Sequence, residues 1–283
     1  GMDAEIVEGD LSDPQSLKAA VKGCDSVFHV AADYRIWVPD GGASMYRANV
    51  DGSRELVRAA CDAGVSRFVY TSSVAVLYPL PGTEVADEAA TASVGDMVSH
   101  YKKSKFFAEE AVMELVREES APVVIVNPSA PFGPRDIKPT PTGRIVLDAA
   151  KGRMPAYLDT GLTAVHVDDV AEGHLLAFDK GEIGERYILG GENLSLRDII
   201  QTVTDYVGRS GPWLKLPRAP LYPVAWAAEM LARVTGREPV VTVDALRMAE
   251  KHMYYSSDKA RAKLGYAPRP AREALTDSIE IGR

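Results

Sequence analysis

In the first half of the chain, short runs of β-branched and aromatic residues are separated by longer stretches with helical spacing. Such alternation predicts a parallel sheet covered by helices on both faces. Strands are predicted over residues 4–8, 25–30, 67–71 and 122–126. Asp13 and Pro14 read as the N-cap and first residue of an intervening helix. A second helix is predicted over residues 44–63, closed by Gly64, and a long third one over residues 94–119.

After Asn127 the texture changes. Pro128, Pro131, Pro134, Pro139 and Pro141 crowd into one short stretch, which predicts a constrained loop rather than a regular element. Beyond it, helices are predicted over residues 144–151, 169–179, 195–207, 221–234, 243–252 and 257–264, with a strand over 186–189. The expected fold class is α/β, a Rossmann-like doubly wound parallel sheet with a smaller, mostly helical lobe. The expected boundaries are residues 1–135, with 167–190 returning, for the sheet domain and residues 136–166 and 191–283 for the lobe.

Composition narrows the partners. Hydrophobic content of 46% and charged content of 25% are ordinary for a globular protein. A net charge of −8 argues against nucleic acid or an anionic membrane surface as the main partner. No apolar run approaches the length of a membrane span. Cys24 and Cys61 are too few for a disulfide framework. The expectation is a cytoplasmic protein acting on a small molecule, with a second copy of the chain as a candidate partner.

Two phrases carry the chemistry. Arg67-Phe68-Val69-Tyr70-Thr71-Ser72-Ser73 reads as a buried strand ending in hydroxyls, and Tyr101-Lys102-Lys103-Ser104-Lys105 sets a tyrosine and a lysine one helical turn apart. Phenols ionise near ~10 in water. An ammonium at about 4 Å favours the phenolate by up to roughly 4 kcal/mol, on the order of three pKa units. Tyr101 and Lys105 therefore suit proton transfer, with Ser73 holding the reacting oxygen. The 12 tyrosines among 283 residues, with as many lysines, give about half a Tyr-x-x-x-Lys by chance. The chain has a second such spacing at Tyr255 and Lys259, but Ser256 or Ser257 reads as a helix cap between them, so that pair reads as structural.

Together these residues resemble an extended short-chain dehydrogenase/reductase, and within that group the hopanoid-associated sugar epimerases and dihydroflavonol 4-reductase-like proteins. The resemblance extends to Phe28-His29-Val30-Ala31-Ala32-Asp33-Tyr34-Arg35, Val126-Asn127-Pro128-Ser129, the stretch from Gly133 to Arg144, and Val165-His166-Val167-Asp168-Asp169-Val170. It implies NAD or NADP as cofactor. Asp10 and Leu11 would then meet the adenine, and Val30, Ala31 and Ala32 would line the pyrophosphate and ribose. Asn49 would support the active site, and Thr71 and Ser72 would complete the cofactor-facing strand end. Lys105 would also hold the nicotinamide ribose, while Asn127, Pro128 and Ser129 would pass the nicotinamide ring. The family's first strand, glycine turn and following helix have no counterpart in this sequence. Weak cofactor affinity of the polypeptide as given is therefore the expectation, and the choice between NAD and NADP is unreadable.

Other residues read more plainly. The histidines His29, His100, His166, His174 and His252 are scattered without metal-ligand spacing. Asp168 and Asp169 read as a cap and first-turn acid of the next helix. Tyr34, Arg135 and Arg144 are the substrate-facing candidates, and an arginine there suits a diphosphate. The first functional expectation is an NAD(P)-dependent oxidoreductase-type epimerase or dehydratase (an isomerase-like use of hydride transfer) acting on a nucleotide-sugar. The alternative is an NAD(P)H-dependent reductase of a ring ketone of dihydroflavonol, sterol or terpenoid type. A non-catalytic redox-sensing module is disfavoured by the intact Ser73, Tyr101 and Lys105.

Overall fold

Phe68, Val69 and Tyr70 are all buried, although successive residues of a strand point to opposite faces. A strand of this kind must be covered on both sides, and the computed structural model has that arrangement. It describes all residues except 1–3, 36, 37, 39, 80–82, 91, 138, 236–240 and 281–283. Lys138, within the proline-rich phrase, thus lies outside the described residues.

In chain order the elements are α1 (Pro14–Ala20), β1 (Ser26–His29), α2 (Ala43–Tyr46), a π-helical turn (Arg47–Asp51), α3 (Gly52–Asp62), β2 (Arg67–Thr71), β3 (Val85–Ala86), α4 (His100–Glu119), β4 (Val123–Pro128) and β5 (Ala130–Phe132). They continue with α5 (Pro141–Ala150), β6 (Ala156–Tyr157), β7 (Gly161–His166), α6 (Val167–Lys180), β8 (Arg186–Leu189), β9 (Glu192–Ser195) and α7 (Leu196–Tyr206). The last are β10 (Leu214–Lys215), α8 (Leu221–Thr235), α9 (Val243–Met248), β11 (Tyr254–Tyr255), α10 (Asp258–Leu264) and α11 (Ala271–Glu280).

The chain forms two compact units. The first comprises Gly1–Val76, Ala92–Asn127 and Leu176–Arg186; the second comprises Leu77–Thr91, Pro128–Leu175 and Tyr187–Arg283. In the first unit β1, β2 and β4 run parallel, with Phe68 beside Val27 on one side and Val123 on the other. The start of β8 extends this sheet, with the Gly184 N–H donating to the Val123 carbonyl at 2.8 Å. Phe68, Tyr70, Val123 and Ile125 face α1, α3 and α4 in one apolar core. The second unit holds a sheet in the order β5-β7-β9, parallel and then antiparallel, packed against α5, α7 and α11.

Several predicted elements shift for identifiable reasons. Residues 4–10 form no strand, and Ile6 is 96% exposed. Alternating apolar residues make a strand only where a neighbour supplies ladder hydrogen bonds, and none does among the described residues. The long third helix begins at His100, where the Ser99 side chain accepts from the Lys102 N–H; residues 94–96 form a separate 3₁₀ turn with its own Ser93–Asp96 capping box. The proline-rich stretch contains a strand after all. β5 includes Pro131, which a sheet edge tolerates because no partner needs its missing N–H. The second predicted helix is interrupted by the π-helical turn, a device common at functional sites.

Gly52, the first residue of α3, marks a close approach. A Cβ there would stand 2.5 Å from the Leu11 carbonyl oxygen. Gly52→Ala should therefore destabilise the protein by about 1–2 kcal/mol, with steric cost outweighing the gain in helix propensity. Urea unfolding followed by circular dichroism checks this; a variant as stable as the parent would show that the Leu11 turn yields freely.

Candidate active site

β2 and β4 end where their side chains change from apolar to polar, at Thr71-Ser72-Ser73 and at Asn127. α4 lies against these ends because its inner face carries small or aliphatic-stemmed residues, of which Ser104, Lys105 and Ala108 are buried. The structure thereby brings Ser73, Tyr101 and Lys105 into the first unit together. The Ser73 hydroxyl hydrogen-bonds the Tyr101 phenol and also accepts from the Ala75 N–H at 3.1 Å. Lys105 Nζ donates to the Thr71 carbonyl at 2.8 Å and lies 5.3 Å above the Tyr70 ring.

The electrostatics differ from the simple picture of a lysine drawing down a phenol. Burial pushes the Tyr101 phenol above its ordinary value, and its bond with Ser73 only partly opposes this. Burial pushes the Lys105 ammonium down to about 8, against the attraction of the Glu109 carboxylate. Desolvation outweighs the expected Coulomb gain, and the lysine's donor goes to a backbone carbonyl. At neutral pH the tyrosine is a protonated acid.

Supporting groups complete the site. Asn49, in the π-helical turn, donates to the Asp33 carbonyl at 2.8 Å and to Ser104 Oγ at 2.9 Å. Its Oδ1 accepts from the Asp33 N–H at 2.7 Å. Asn49 thus pins the loop after β1 to α4. Asn127 Nδ2 donates both to the Ser73 carbonyl at 3.1 Å and to Glu109 Oε2 at 2.9 Å, so its amide orientation is fixed by two acceptors. Arg186 Nη1 stands 3.2 Å from Glu109 Oε1.

The first-unit residues expected at the cofactor have the following surroundings. Asp10 Oδ1 accepts from the Ser12 N–H and hydroxyl, each at 2.7 Å, in a turn beside Leu11. Val30 and Ala31 are exposed past the end of β1, and Ala32 is half-buried. Two buried polar atoms at the strand ends, Ser72 Oγ and Asn127 Oδ1, have no hydrogen-bond partner, although such groups are ordinarily satisfied. A ledge of small residues with unsatisfied polar atoms at the carboxyl ends of parallel strands fits a dinucleotide.

In the second unit, the Ser129 N–H donates to the Leu189 carbonyl at 3.1 Å, and its buried hydroxyl has no partner. Pro128 ends β4. A cleft of about 600 Å³ is lined by Pro131, Phe132, Gly133, Pro134, Arg135, Asp136, Ile137, Leu147, Val167 and others. Asp136 accepts from the Thr140 N–H and hydroxyl, each at 2.9 Å, and a Cβ at Gly143 would run into its carboxylate. Arg135 lines the cleft with positive φ, and its guanidinium pairs with Asp168. Arg144 lies exposed on α5, and Tyr34 is exposed in the first unit. Asp168 and Asp169 both lie in the first turn of α6, as expected for a first-turn acid, with neither at the cap position. The His166 ring accepts from the Asp168 N–H at 3.0 Å, and buried Asp169 accepts from the Arg269 guanidinium at 2.8 Å. Tyr255 sits in β11 and Lys259 in α10, over the Tyr187 ring, so they share no helix face. No group of three metal-ligating side chains comes together among the described residues.

A model of the NAD dependent epimerase/dehydratase family matches residues 1–190. The chain belongs to that family, the extended short-chain dehydrogenases/reductases. It is an enzyme with a Rossmann-like parallel sheet, of a family that depends on NAD. It is 41% identical over 277 residues to a dihydroflavonol 4-reductase-like protein of Synechocystis sp., covering 96% of this chain and 80% of that protein. Over 283 residues it is 32% identical to sterol demethylase protein B of Methylococcus capsulatus, covering 99% and 85%. The crystal structure of gox2253 superposes with a TM-score of 0.85 at 54% identity, covering 99% of this chain and 84% of that one. A UDP-glucose 4-epimerase from Thermotoga maritima, at 19% identity and a TM-score of 0.76 over 97% of this chain and 83% of its own, shares the fold.

Three supporting residues escape the sequence reading: His29, Tyr70 and Glu109. Only Glu109 leaves a trace there, one further helical turn beyond Tyr101 and Lys105. His29, 3% exposed, is 2.9 Å from Ser53 Oγ, which also bonds the Tyr70 phenol. Burial and the nearby Lys105 push the His29 imidazole down to about 4 from 6.5. The unfolded chain thus takes up a proton near 6.5 that the folded chain refuses until about 4. Stability held above pH 6.5 should be lost as pH falls through that window, by roughly 3 kcal/mol. Urea unfolding at pH 7 and 4.5, with His29→Gln flattening the difference, checks this; an equal loss in the variant would assign it to other groups.

Proposed function

We propose that this family member is an NAD(P)H-dependent reductase of a carbonyl on an apolar, ring-bearing substrate, with NAD or NADP as its cofactor. The cleft of the second unit carries this reading. Among the described residues its walls are mainly Pro131, Phe132, Pro134, Ile137, Leu147 and Val167, and the arginine among them, Arg135, is paired with Asp168. A nucleotide-sugar diphosphate calls for uncommitted cations, whereas an apolar ring calls for this lining. The names of relatives at 30% identity or more, a dihydroflavonol 4-reductase-like protein, sterol demethylase protein B and cinnamoyl-CoA reductase, agree with it. The nucleotide-sugar reading ranks second, supported by Arg135 at the cleft.

In this reading the nicotinamide supplies hydride to the carbonyl carbon when bound. Tyr101 donates its proton to the carbonyl oxygen, so the ketone leaves as an alcohol. The raised phenol pKa suits that direction, since the acid form persists at neutral pH. Ser73 orients the reacting oxygen, and Lys105, fixed on Thr71, supplies positive charge beside the developing phenolate. Asp10, Leu11, Val30, Ala31, Ala32, Thr71 and Ser72 would hold the dinucleotide, with Asn127 at its nicotinamide end.

The enzyme should consume NADH or NADPH with cyclic apolar ketones, and Tyr101→Phe should lower kcat by roughly 10²–10⁴-fold with little change in cofactor affinity. Spectrophotometric assays against ketones and nucleotide-sugars check both. Turnover confined to nucleotide-sugars, with a raised KM in Arg135→Ala, would overturn this choice in favour of the second.

A further inference from the structure

We propose that Glu109 is a positioning residue that locks the strand end carrying Ser73 to the helix carrying Tyr101 and Lys105. The proposal rests on the reading of those three residues as the reacting set.

Tyr101, Lys105 and Glu109 are spaced four apart along α4 and share one face. The first two are accounted for by the chemistry. Glu109 is not, yet it is only 3% exposed. A buried carboxylate is costly unless it is paired and hydrogen-bonded. Both of its oxygens are engaged: Oε1 lies 3.2 Å from Arg186 Nη1, and Oε2 accepts from Asn127 Nδ2 at 2.9 Å. The same Asn127 nitrogen donates to the Ser73 carbonyl at 3.1 Å. Ser73 then returns to α4 through its hydroxyl on Tyr101.

The result is a closed circuit from α4 through the end of β4 to the end of β2 and back. Arg186 neutralises the carboxylate and fixes its rotamer. Without Glu109, the Asn127 amide would be free to turn away from Ser73, and the serine hydroxyl would lose its register with the phenol. Glu109 also faces the Lys105 ammonium from its own helix, while Tyr70 and Thr71 face it from β2 and His29 from β1. Its negative charge favours the ammonium form.

Glu109→Gln keeps the side chain's shape and an acceptor but removes the charge. It should lower kcat roughly 10- to 100-fold with KM within about twofold, as a small misplacement of reacting groups does. The alkaline limb of kcat should move to lower pH, because Lys105 loses an anion that favours its protonated form. The double variant Glu109→Gln/Arg186→Gln removes both charges of the pair and guards against simple unfolding. It should melt near the parent temperature while kcat stays low. A readout independent of cofactor and substrate is the ring ¹³C signal of Tyr101, assigned by its absence in Tyr101→Phe. Glu109→Gln should shift it in the same sense as Ser73→Ala.

Parent-like kcat, pH profile and Tyr101 signal in a folded Glu109→Gln would overturn the proposal. If Tyr101→Phe and Ser73→Ala leave turnover intact, the reading of the reacting set fails instead, and the Tyr101 signal still decides whether Glu109 places Ser73.

Discussion

The inner face of α4 is polar where it meets the ends of β2 and β4, and the rest of the first unit is arranged around satisfying it. Lys105 is buried, and its ammonium is retained by the Thr71 carbonyl, the Tyr70 ring and the Glu109 carboxylate. Two of these contacts come from β2, a strand that would otherwise be ordinary hydrophobic sheet, and the third from α4 itself. A buried ammonium without them would shed its proton or disrupt the packing. The chemistry and the stability of this region are therefore the same network.

That network explains the polar residues scattered through an apolar core. His29 and Ser53 complete the bonding of Tyr70, so that a phenol can sit within the sheet. Asn49 reaches both the Asp33 loop and Ser104 from an irregular turn of helix. A regular α-helix would advance the following residues by a different angle, and the extra residue of the π turn re-aims this one side chain. Gly52, immediately after it, lets α3 lie against the Leu11 backbone.

The second unit uses a different device. The stretch from Gly133 to Arg144 folds back on itself through Asp136, which binds Thr140 and leaves room only for glycine at 143. Prolines on either side fix the remaining torsions. The cleft wall draws its apolar character from Pro134 and Ile137 of this stretch together with Pro131 and Phe132 of β5.

The chain alone determined much of this. The runs at 67–71, 123–128 and 186–189 are legible as strands because two-sided burial demands largely apolar sequence, and the run at 26–29 by its β-branched and aromatic residues. Tyr101 and Lys105 are legible because helical periodicity alone puts residues four apart on one face. Asp13 announces its helix by a local hydrogen bond that needs no distant partner. Tertiary structure decided everything that depends on a partner far along the chain. Residues 4–8 read as a strand, but pairing makes a strand. Pro131 reads as a loop residue, but the edge of a sheet accepts it. Asp168 and Asp169 read as a cap and a first-turn acid; both sit in the first turn of α6, and their pairing with Arg135 and Arg269 is set by the fold. The direction of the Tyr101 shift is likewise invisible in the sequence. Spacing shows that a lysine is near, whereas burial and the Thr71 carbonyl, set by the packed sheet, determine which proton is held.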